Sequence, residues 1–425
     1  MQRLVLFCSI TLTAACSGPR ANIDSGLLEE IQAIRAVDNH AHPVRAVHAG
    51  EAPDRDFDAL PVDNMEPQSD PTGLRADSPQ LAEAQRALFG GKEHQRDIAR
   101  QQGDNYPAWV LDKAGIETMV ANRVTMGTSI APPRFRWVPY ADALMYPLDN
   151  SQLAAENPDR GAFFPLEDKV RSRFLAELGI QNLPATLADY TAQIVTPVLE
   201  RARHGGAIAQ KFEAAYLRSL RFEKVDEATA SRIYAQYIGK PGPSPADYQP
   251  LQDYLFRYIA RECGRLGMAV HIHTMAGAGG YFDVAGARPS NLEPIFNDPS
   301  LRRTNFVMIH GGWPYDREAD AMLTKPNVYL DFSAQDLLLQ PATLAGVLRE
   351  WLEALPEKVM FGTDAYPYLP DAGWEEFVWI GSRNARLALA EALTGMVRDG
   401  EISRTRASAI ARLVLRDNAR KLYGL

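Results

Sequence analysis

Short apolar runs alternate along the chain with longer segments of helical pattern. The runs have the length and the β-branched and aromatic content that are typical of strands. Eight of them can be followed, at residues 36–42, 115–122, 134–140, 206–212, 268–273, 305–310, 327–332 and 358–364. Because helical patterns fill most of the gaps, the sequence predicts an α/β fold, a (β/α)8 TIM barrel.

Two long segments interrupt this alternation, at residues 43–105 and 140–184. Both follow the end of a predicted strand, so we expect long βα-loop insertions that fold over the mouth of the barrel. The first insertion is rich in Asp, Pro and Gln, and a mobile surface loop is the alternative for it. A helix at Ser25–Ile34 is predicted before the first strand, and Gly239–Pro245 reads as a linker between helices.

Polar residues with metal-binding side chains lie at the ends of several predicted strands. Side chains alternate along a strand, so Asp38, His40 and His42 share one face of the first strand. Three later runs end in His273, His310 and Asp364, and Lys211 lies near the end of the fourth run. In a barrel these ends meet at one face, where catalytic residues collect.

Imidazole nitrogens and a carboxylate form a donor set that suits Zn²⁺, with one position left for a water molecule. The candidate ligands are His40, His42, His273 and Asp364. His310 is expected to act as a proton shuttle or as a ligand of a second metal. His271 is one layer deeper and is expected to pack or to support the site. The remaining histidines, His48, His94 and His204, are expected in solvent. His48 or His94 could instead reach the mouth of the barrel on the long loop.

Composition narrows the classes of protein. A chain of 425 residues with 46% hydrophobic content can bury a full core. The formal net charge of −8 argues against a nucleic-acid partner.

The N-terminus has the pattern of a secretion signal. Residues 1–15 carry a short charged start and an apolar stretch too short to span a bilayer permanently. Leu12–Cys16 resembles a bacterial lipobox, which implies a lipidated Cys16 and a tether over residues 16–35; an ordinary signal peptide is the alternative. In such lipoproteins an Asp after the Cys is associated with retention in the inner membrane; Ser17 stands there instead, which favours an outer-membrane lipoprotein that faces the periplasm. Cleavage and lipidation would leave Cys263 as the one free thiol, so no disulfide could form within the chain.

The strand-end residues also carry a resemblance to a known family. With Asp38-x-His40-x-His42, His273, His310 and Gly362-Thr-Asp364, the chain resembles the amidohydrolase superfamily, in the amidohydrolase-related (amidohydrolase 2) branch. A narrower resemblance is to the amidohydrolase domain of fluG and nodulin-type proteins, carried by segments such as His310-Gly-Gly-Trp-Pro314. The domain would span residues 36–425. The chain has no glutamine synthetase-like extension, so that partner's chemistry is not implied.

The resemblance leaves the role of Lys211 open. In binuclear relatives a lysine at this place is carboxylated and bridges two metals, so one or two ions are expected. An unmodified Lys211 would bind a substrate anion, and a structural lysine paired to Glu213 or Asp331 is the third reading. Tyr216 and Arg218 are expected to hold a substrate carboxylate, or else to start a surface helix.

Together these features predict a metal-dependent hydrolase that cleaves an amide-like C–N bond in a small, anionic substrate with metal-activated water. Asp364 would move the proton, and His310 or Lys211 would polarise the carbonyl oxygen. Two alternatives stay open: a metal-dependent decarboxylase of the same superfamily, and a non-catalytic metal- or solute-binding lipoprotein. The expected partner is a small molecule, with the membrane reached only through the lipid, and a homo-oligomer is left open.

Overall fold

The computed structural model describes residues 23–48, 50–60 and 71–425. Its strands, β1 to β8, are Ala36–Ala41, Ile116–Asn122, Phe135–Val138, Ala209–Phe212, Ala269–His273, Phe306–Ile309, Val328–Asp331 and Val359–Met360. Every strand lies within a run that the sequence pattern predicts. The α/β class is therefore confirmed, and the strands are shorter than the apolar runs that contain them.

Helices occupy most of the segments between strands. In chain order α1 to α9 are Ser25–Ala33, Pro79–Phe89, Gln95–Gln102, Tyr106–Lys113, Ser151–Ala154, Pro158–Leu178, Leu187–Tyr190, Thr196–His204 and Ala214–Leu217. The helices α10 to α18 are Glu227–Tyr237, Pro245–Leu266, Glu293–Phe296, Asp316–Met322, Gln335–Leu338, Pro341–Ala354, Trp374–Arg398, Arg404–Arg412 and Asn418–Tyr423.

All strand pairs are parallel and form two sheets. One sheet has the order β1-β2-β3 and the other the order β4-β5-β6-β7-β8. Backbone hydrogen bonds also cross both gaps between the sheets. The Lys211 N–H donates to Pro139 O over 2.8 Å on one side, and the Asn39 N–H donates to Phe361 O over 2.9 Å on the other.

Both insertions carry helices and reach the carboxyl ends of the strands. In the first, α2 buries Leu81, Ala84, Leu88 and Phe89, which fits a packed segment and not a loop that lies wholly in solvent. In the second, α6 begins at the cap Asn157, whose side chain accepts the Arg160 N–H. The α6 residue Phe163 places its ring 5.7 Å from that of Tyr216, which follows β4.

The predicted N-terminal signal and lipidation site, residues 1–16, and the first part of the tether lie outside the described residues. Of the helices in the described part, none combines the length and the apolar character that a bilayer crossing requires.

Candidate metal centre

Two adjoining strand ends bring two histidines and a carboxylate together. His40 on β1 has its Nε2 3.0 Å from Asp364 Oδ1, and His42 has its Nε2 3.4 Å from the same oxygen. One donor atom from each of the three side chains lies within 4.8 Å of the others. This cluster of His40, His42 and Asp364 has the composition of a site for a divalent cation.

A buried pair of residues fixes this approach. Asp38 accepts the backbone N–H of Thr363 over 3.0 Å and its hydroxyl over 2.6 Å, so β1 and the segment after β8 stay in register. Asp364 follows with a φ of 54°, a left-handed conformation that few non-glycine residues adopt. The backbone is closely surrounded at Gly362, where a Cβ would lie 3.0 Å from Ser333 Cβ and 3.2 Å from His40 N.

The outer nitrogens of the β1 histidines are held by neighbouring groups. His42 Nδ1 lies 3.1 Å from the Tyr140 hydroxyl and 3.3 Å from the backbone carbonyl of Phe57; with the proton on Nδ1, donated to that carbonyl, Nε2 keeps its lone pair. His40 Nδ1 lies 2.6 Å from the side-chain amide of Asn122, whose Oδ1 is buried without a partner. Turning that amide over would let Oδ1 accept from Nδ1 and free His40 Nε2 as a ligand.

His273 and His310 lie beside the cluster, with their rings 4.6 Å apart. His310 lies 5.0 Å from the His40 ring. His273 Nε2 bonds Met275 O over 2.8 Å, which leaves Nδ1 as the acceptor. His310 Nδ1 bonds Ser333 O over 3.2 Å, which leaves Nε2 as the acceptor. Both rings therefore present a lone pair that a cation or a proton could use.

Electrostatics set the protonation states that a metal requires. Burial, and then the charge of Lys211, lowers the pKa of His40 well below its usual value, and burial lowers the pKa of His310 to about 4. Burial alone would raise the pKa of Asp364, but His310, His40 and His42 hold it well below the usual range. At neutral pH His40 and His310 are thus neutral imidazoles and Asp364 is a carboxylate, the forms that bind metal.

Lys211 lies at this cluster as well. Its Nζ is 3.3 Å from His40 Nε2, and the side chain is buried. The expected alternative pairing with Asp331 is wrong, because the Asp331 carboxylate accepts from Asn39, from Ser333 and from the His310 backbone N–H. Glu213, the other expected partner, lies two residues further along and lines the same cavity.

A cavity of about 100 Å³ opens over the cluster. It is lined by His40, His42, Asp58, Leu60, Leu74, Lys211, Glu213, Tyr216, His273, Ala278, His310, Asp364, Tyr366 and Tyr368. All the candidate residues named from the sequence line it except Arg218. Tyr216 packs its ring 4.7 Å from that of His273, and Gly277 must be glycine because a Cβ there would lie 2.6 Å from the Tyr216 ring.

Arg218 lies elsewhere, which corrects the expectation that it holds a substrate carboxylate in this cavity. Its guanidinium donates to Asp253 Oδ1 over 2.6 Å and to Gln252 Oε1 over 2.8 Å, both on α11. The short helix α9 directs Tyr216 toward the cavity and Arg218 toward α11. Spacing along the chain could not show this turn.

Three polar lining residues were not named from the sequence, and Glu213 was named only as a partner for Lys211. Tyr366 and Tyr368 lie two and four residues after Asp364, and the Tyr368 hydroxyl donates to Asp364 Oδ2 over 2.9 Å. Their position after a strand-end ligand was an available signal. Asp58 lies in the first insertion, where no periodicity marks it.

The other histidines lie outside the cavity. His271 is buried, with Nε2 2.7 Å from the Tyr423 hydroxyl, as expected for a supporting residue. His48 is exposed and pairs with Asp104 over 3.0 Å, so it does not reach the mouth. His94 and His204 are exposed too.

Comparison with known proteins identifies the family of the chain. A family model described as Amidohydrolase matches residues 147–425. The chain therefore belongs to the amidohydrolase family, as the resemblance of its motifs indicates. Members of this family depend on metal, and the His40, His42 and Asp364 cluster supplies a candidate site for it.

Individual relatives are more distant. Protein fluG of Emericella nidulans is 25% identical over an alignment of 222 residues, which covers 49% of this chain and 25% of fluG. The chain thus spans about a quarter of the length of this curated relative. The relationship is therefore to part of fluG only.

Solved structures share the fold. A protein described as a metal-dependent hydrolase from Lactobacillus casei ATCC 334 superposes with a TM-score of 0.64 at 16% identity, over 94% of this chain and 97% of that one. Uronate isomerase from Thermotoga maritima gives 0.58 at 12% identity, over 94% and 96% of the two chains. Glucuronate isomerase from Caulobacter crescentus gives 0.60 at 12% identity, over 94% and 93%. At these identities the likeness concerns the fold alone.

Proposed function

We propose that the chain is a metal-dependent hydrolase that cleaves an amide-like C–N bond in a small substrate, on a closed (β/α)8 barrel. One observation carries the proposal: His40, His42 and Asp364 converge on a cavity with His273, His310 and Lys211 beside them. The backbone hydrogen bonds across both gaps between the sheets support the closed barrel.

The donor set decides which cofactor fits. Neutral imidazoles with one carboxylate suit a divalent transition ion, with zinc as the first choice. When bound, such an ion lowers the pKa of water and polarises a carbonyl. His40, His42 and Asp364 would hold it, and His273 and His310 are placed to complete its coordination or to hold a second ion.

Three side chains would transfer protons or stabilise charge. Asp364 has its Oδ2 fixed by Tyr368, so Oδ1 is the oxygen left to accept a proton on the side of His40 and His42. Lys211 carries N–H donors into the cavity and would stabilise negative charge that develops on a substrate oxygen. His310, with a free Nε2, would accept or return a proton.

The decarboxylase alternative uses the same residues but needs a substrate carboxylate. The structure gives it less support, because Arg218 is bound to α11 and two carboxyls, those of Asp58 and Glu213, line the cavity. The binding-protein alternative would use the same donor set, so turnover is the property that distinguishes it from the hydrolase.

A product assay tests the proposal. Zinc-loaded enzyme is incubated with a panel of small amides and, separately, with small carboxylic acids, and ammonia and CO2 are measured. We expect ammonia from an amide, and a loss of at least about 10²-fold in Asp364→Asn. CO2 without ammonia would favour the lyase, and ligand binding without turnover would favour the binding protein.

The cellular location is a separate proposal, supported by the sequence of residues 1–17 alone. In this proposal Cys16 is lipidated and anchors the enzyme to the outer membrane, facing the periplasm. Mass spectrometry of the intact protein tests it directly, because Cys16→Ser should lose the lipid and the membrane association together. A wild-type protein without lipid would contradict it.

A further inference from the structure

Part of the cavity wall is acidic, and one of its carboxyls, Asp58 Oδ2, lies 3.7 Å from His42 Nδ1. Asp58 and Glu213, here called the acidic wall, both line the cavity and are both more than nine-tenths buried. Two further buried carboxyls lie behind them: Asp142, whose Oδ2 accepts the Glu213 backbone N–H over 2.8 Å, and Glu167 on α6. Lys211 is the one Lys or Arg among the described residues that line the cavity.

Glu213 also has an unused hydrogen-bonding atom. Its Oε2 is buried and has no hydrogen-bond partner, although the residue is 5% exposed and lines the cavity. A buried polar atom without a partner costs about 1–3 kcal/mol, so such atoms are rare unless a ligand satisfies them. This observation is independent of the number of carboxyls nearby.

We propose that the acidic wall binds an amino group of the substrate. This inference rests on the proposed function and replaces the anionic substrate expected from the sequence with a cationic one. An ammonium offers several N–H donors, enough to reach Glu213 Oε2 and Asp58 together. A substrate carboxylate in the same place would offer no donor to the unpartnered Oε2.

Three probes with one metal-binding head and different tails test the inference by calorimetry on zinc-loaded enzyme. They are β-alanine hydroxamate, butyrohydroxamate and succinate monohydroxamate, which end in an amino, a methyl and a carboxylate group. We expect the amino probe to bind at least about 10-fold more tightly than the methyl probe, since a charge-assisted hydrogen bond is worth that much. The carboxylate probe should bind most weakly.

Variants of the acidic wall test whether it causes the preference for the amino probe over the methyl probe. Glu213→Gln should reduce it to less than about 3-fold, and Asp58→Asn should reduce it as well if the first variant does not fold. Glu167→Gln is the matched control, because it removes a buried carboxyl that does not line the cavity, and it should keep the preference. Equal binding of the amino and methyl probes, tighter binding of the carboxylate probe, no binding of the amino probe, or an unchanged preference in Glu213→Gln would each overturn the inference.

Turnover separates the inference from the proposed function. Ammonia release is measured with β-alaninamide, butyramide and succinamate, which have the same tails. An amino-probe preference without ammonia release from any amide would overturn the hydrolase and leave the acidic wall as proposed. Ammonia release without any tail preference would overturn the acidic wall alone.

Discussion

Asp38 on β1 and Thr363 after β8 are joined by two buried hydrogen bonds, of 3.0 Å from the backbone N–H and 2.6 Å from the hydroxyl of Thr363. This pair sets His40, two residues beyond Asp38, against Asp364, the residue after Thr363. The register of the metal centre therefore depends on two residues that are not metal ligands, of which Asp38 also accepts the His40 backbone N–H over 3.2 Å.

Replacing Thr363 by Val tests that dependence. The substitution removes the hydroxyl donor at nearly constant volume and leaves Asp38 short of a partner, so we expect a loss of about 1–3 kcal/mol in the free energy of unfolding. Zinc affinity should fall with it. Thr363→Ser, which keeps the hydroxyl, is the control in urea unfolding and zinc titration. Equal behaviour of the Val and Ser variants would show that the contact is dispensable.

His271 predicts a pH dependence of stability. Burial, and then the charge of Lys211, lowers the pKa of His271 from its ordinary value of 6.5 to about 3. Below pH 6.5 the unfolded chain binds a proton that the folded chain does not, so this residue's contribution is present above pH 6.5 and is lost as pH falls toward 3. Between pH 6.5 and 5.0 the loss should be about 1.5 kcal/mol.

The measurement is urea unfolding of metal-free protein at those two pH values. His271→Gln can still donate to the Tyr423 hydroxyl but does not titrate, so its loss of stability should be smaller than that of the wild type by this amount. Identical losses in the two proteins would mean that His271 does not titrate as its burial implies.

Lys211 decides between one metal and two. A carbamate would add negative charge beside the acidic wall and Asp142, so we expect a free ammonium and about one tightly bound metal per chain. Lys211→Met should keep that metal and lose about 10²-fold in kcat. Two metals in the wild type, with one lost in Lys211→Ala and restored by small carboxylates, would indicate the carboxylated lysine instead.

Arg218 is expected to act on stability and not on substrate binding. Its ion pair with Asp253 is buried, and removing one partner of such a pair costs about 3–5 kcal/mol. Arg218→Ala should therefore unfold at lower urea concentration, with KM of the folded fraction little changed. Arg221→Ala, which breaks an exposed pair with Glu223, is the control and should cost about 0–1 kcal/mol. A raised KM without a loss of stability would indicate that Arg218 binds the substrate.

The fold and the strand-end residues could be predicted because both follow from periodicity. Alternation along β1 places His40 and His42 on one face, and the parallel strands bring His273, His310 and Asp364 to the same edge. The residues that depend on insertions and turns could not be predicted in this way. Asp58 reaches the cavity from an insertion without a regular pattern, and one short helix separates Arg218 from Tyr216.

Metal binding by the β1 histidines tests the account most directly. Metal-free protein is titrated with zinc, and bound metal is measured after gel filtration, for the wild type, His42→Ala and His48→Ala. His48 is a matched control because it too pairs with an aspartate, Asp104, but on the surface. The account predicts at least one tightly bound zinc in the wild type and in His48→Ala, and an affinity at least about 10²-fold weaker in His42→Ala. A wild type that binds no metal, or a His42→Ala variant that binds it as tightly as His48→Ala, would contradict the assignment of this cluster as the metal centre.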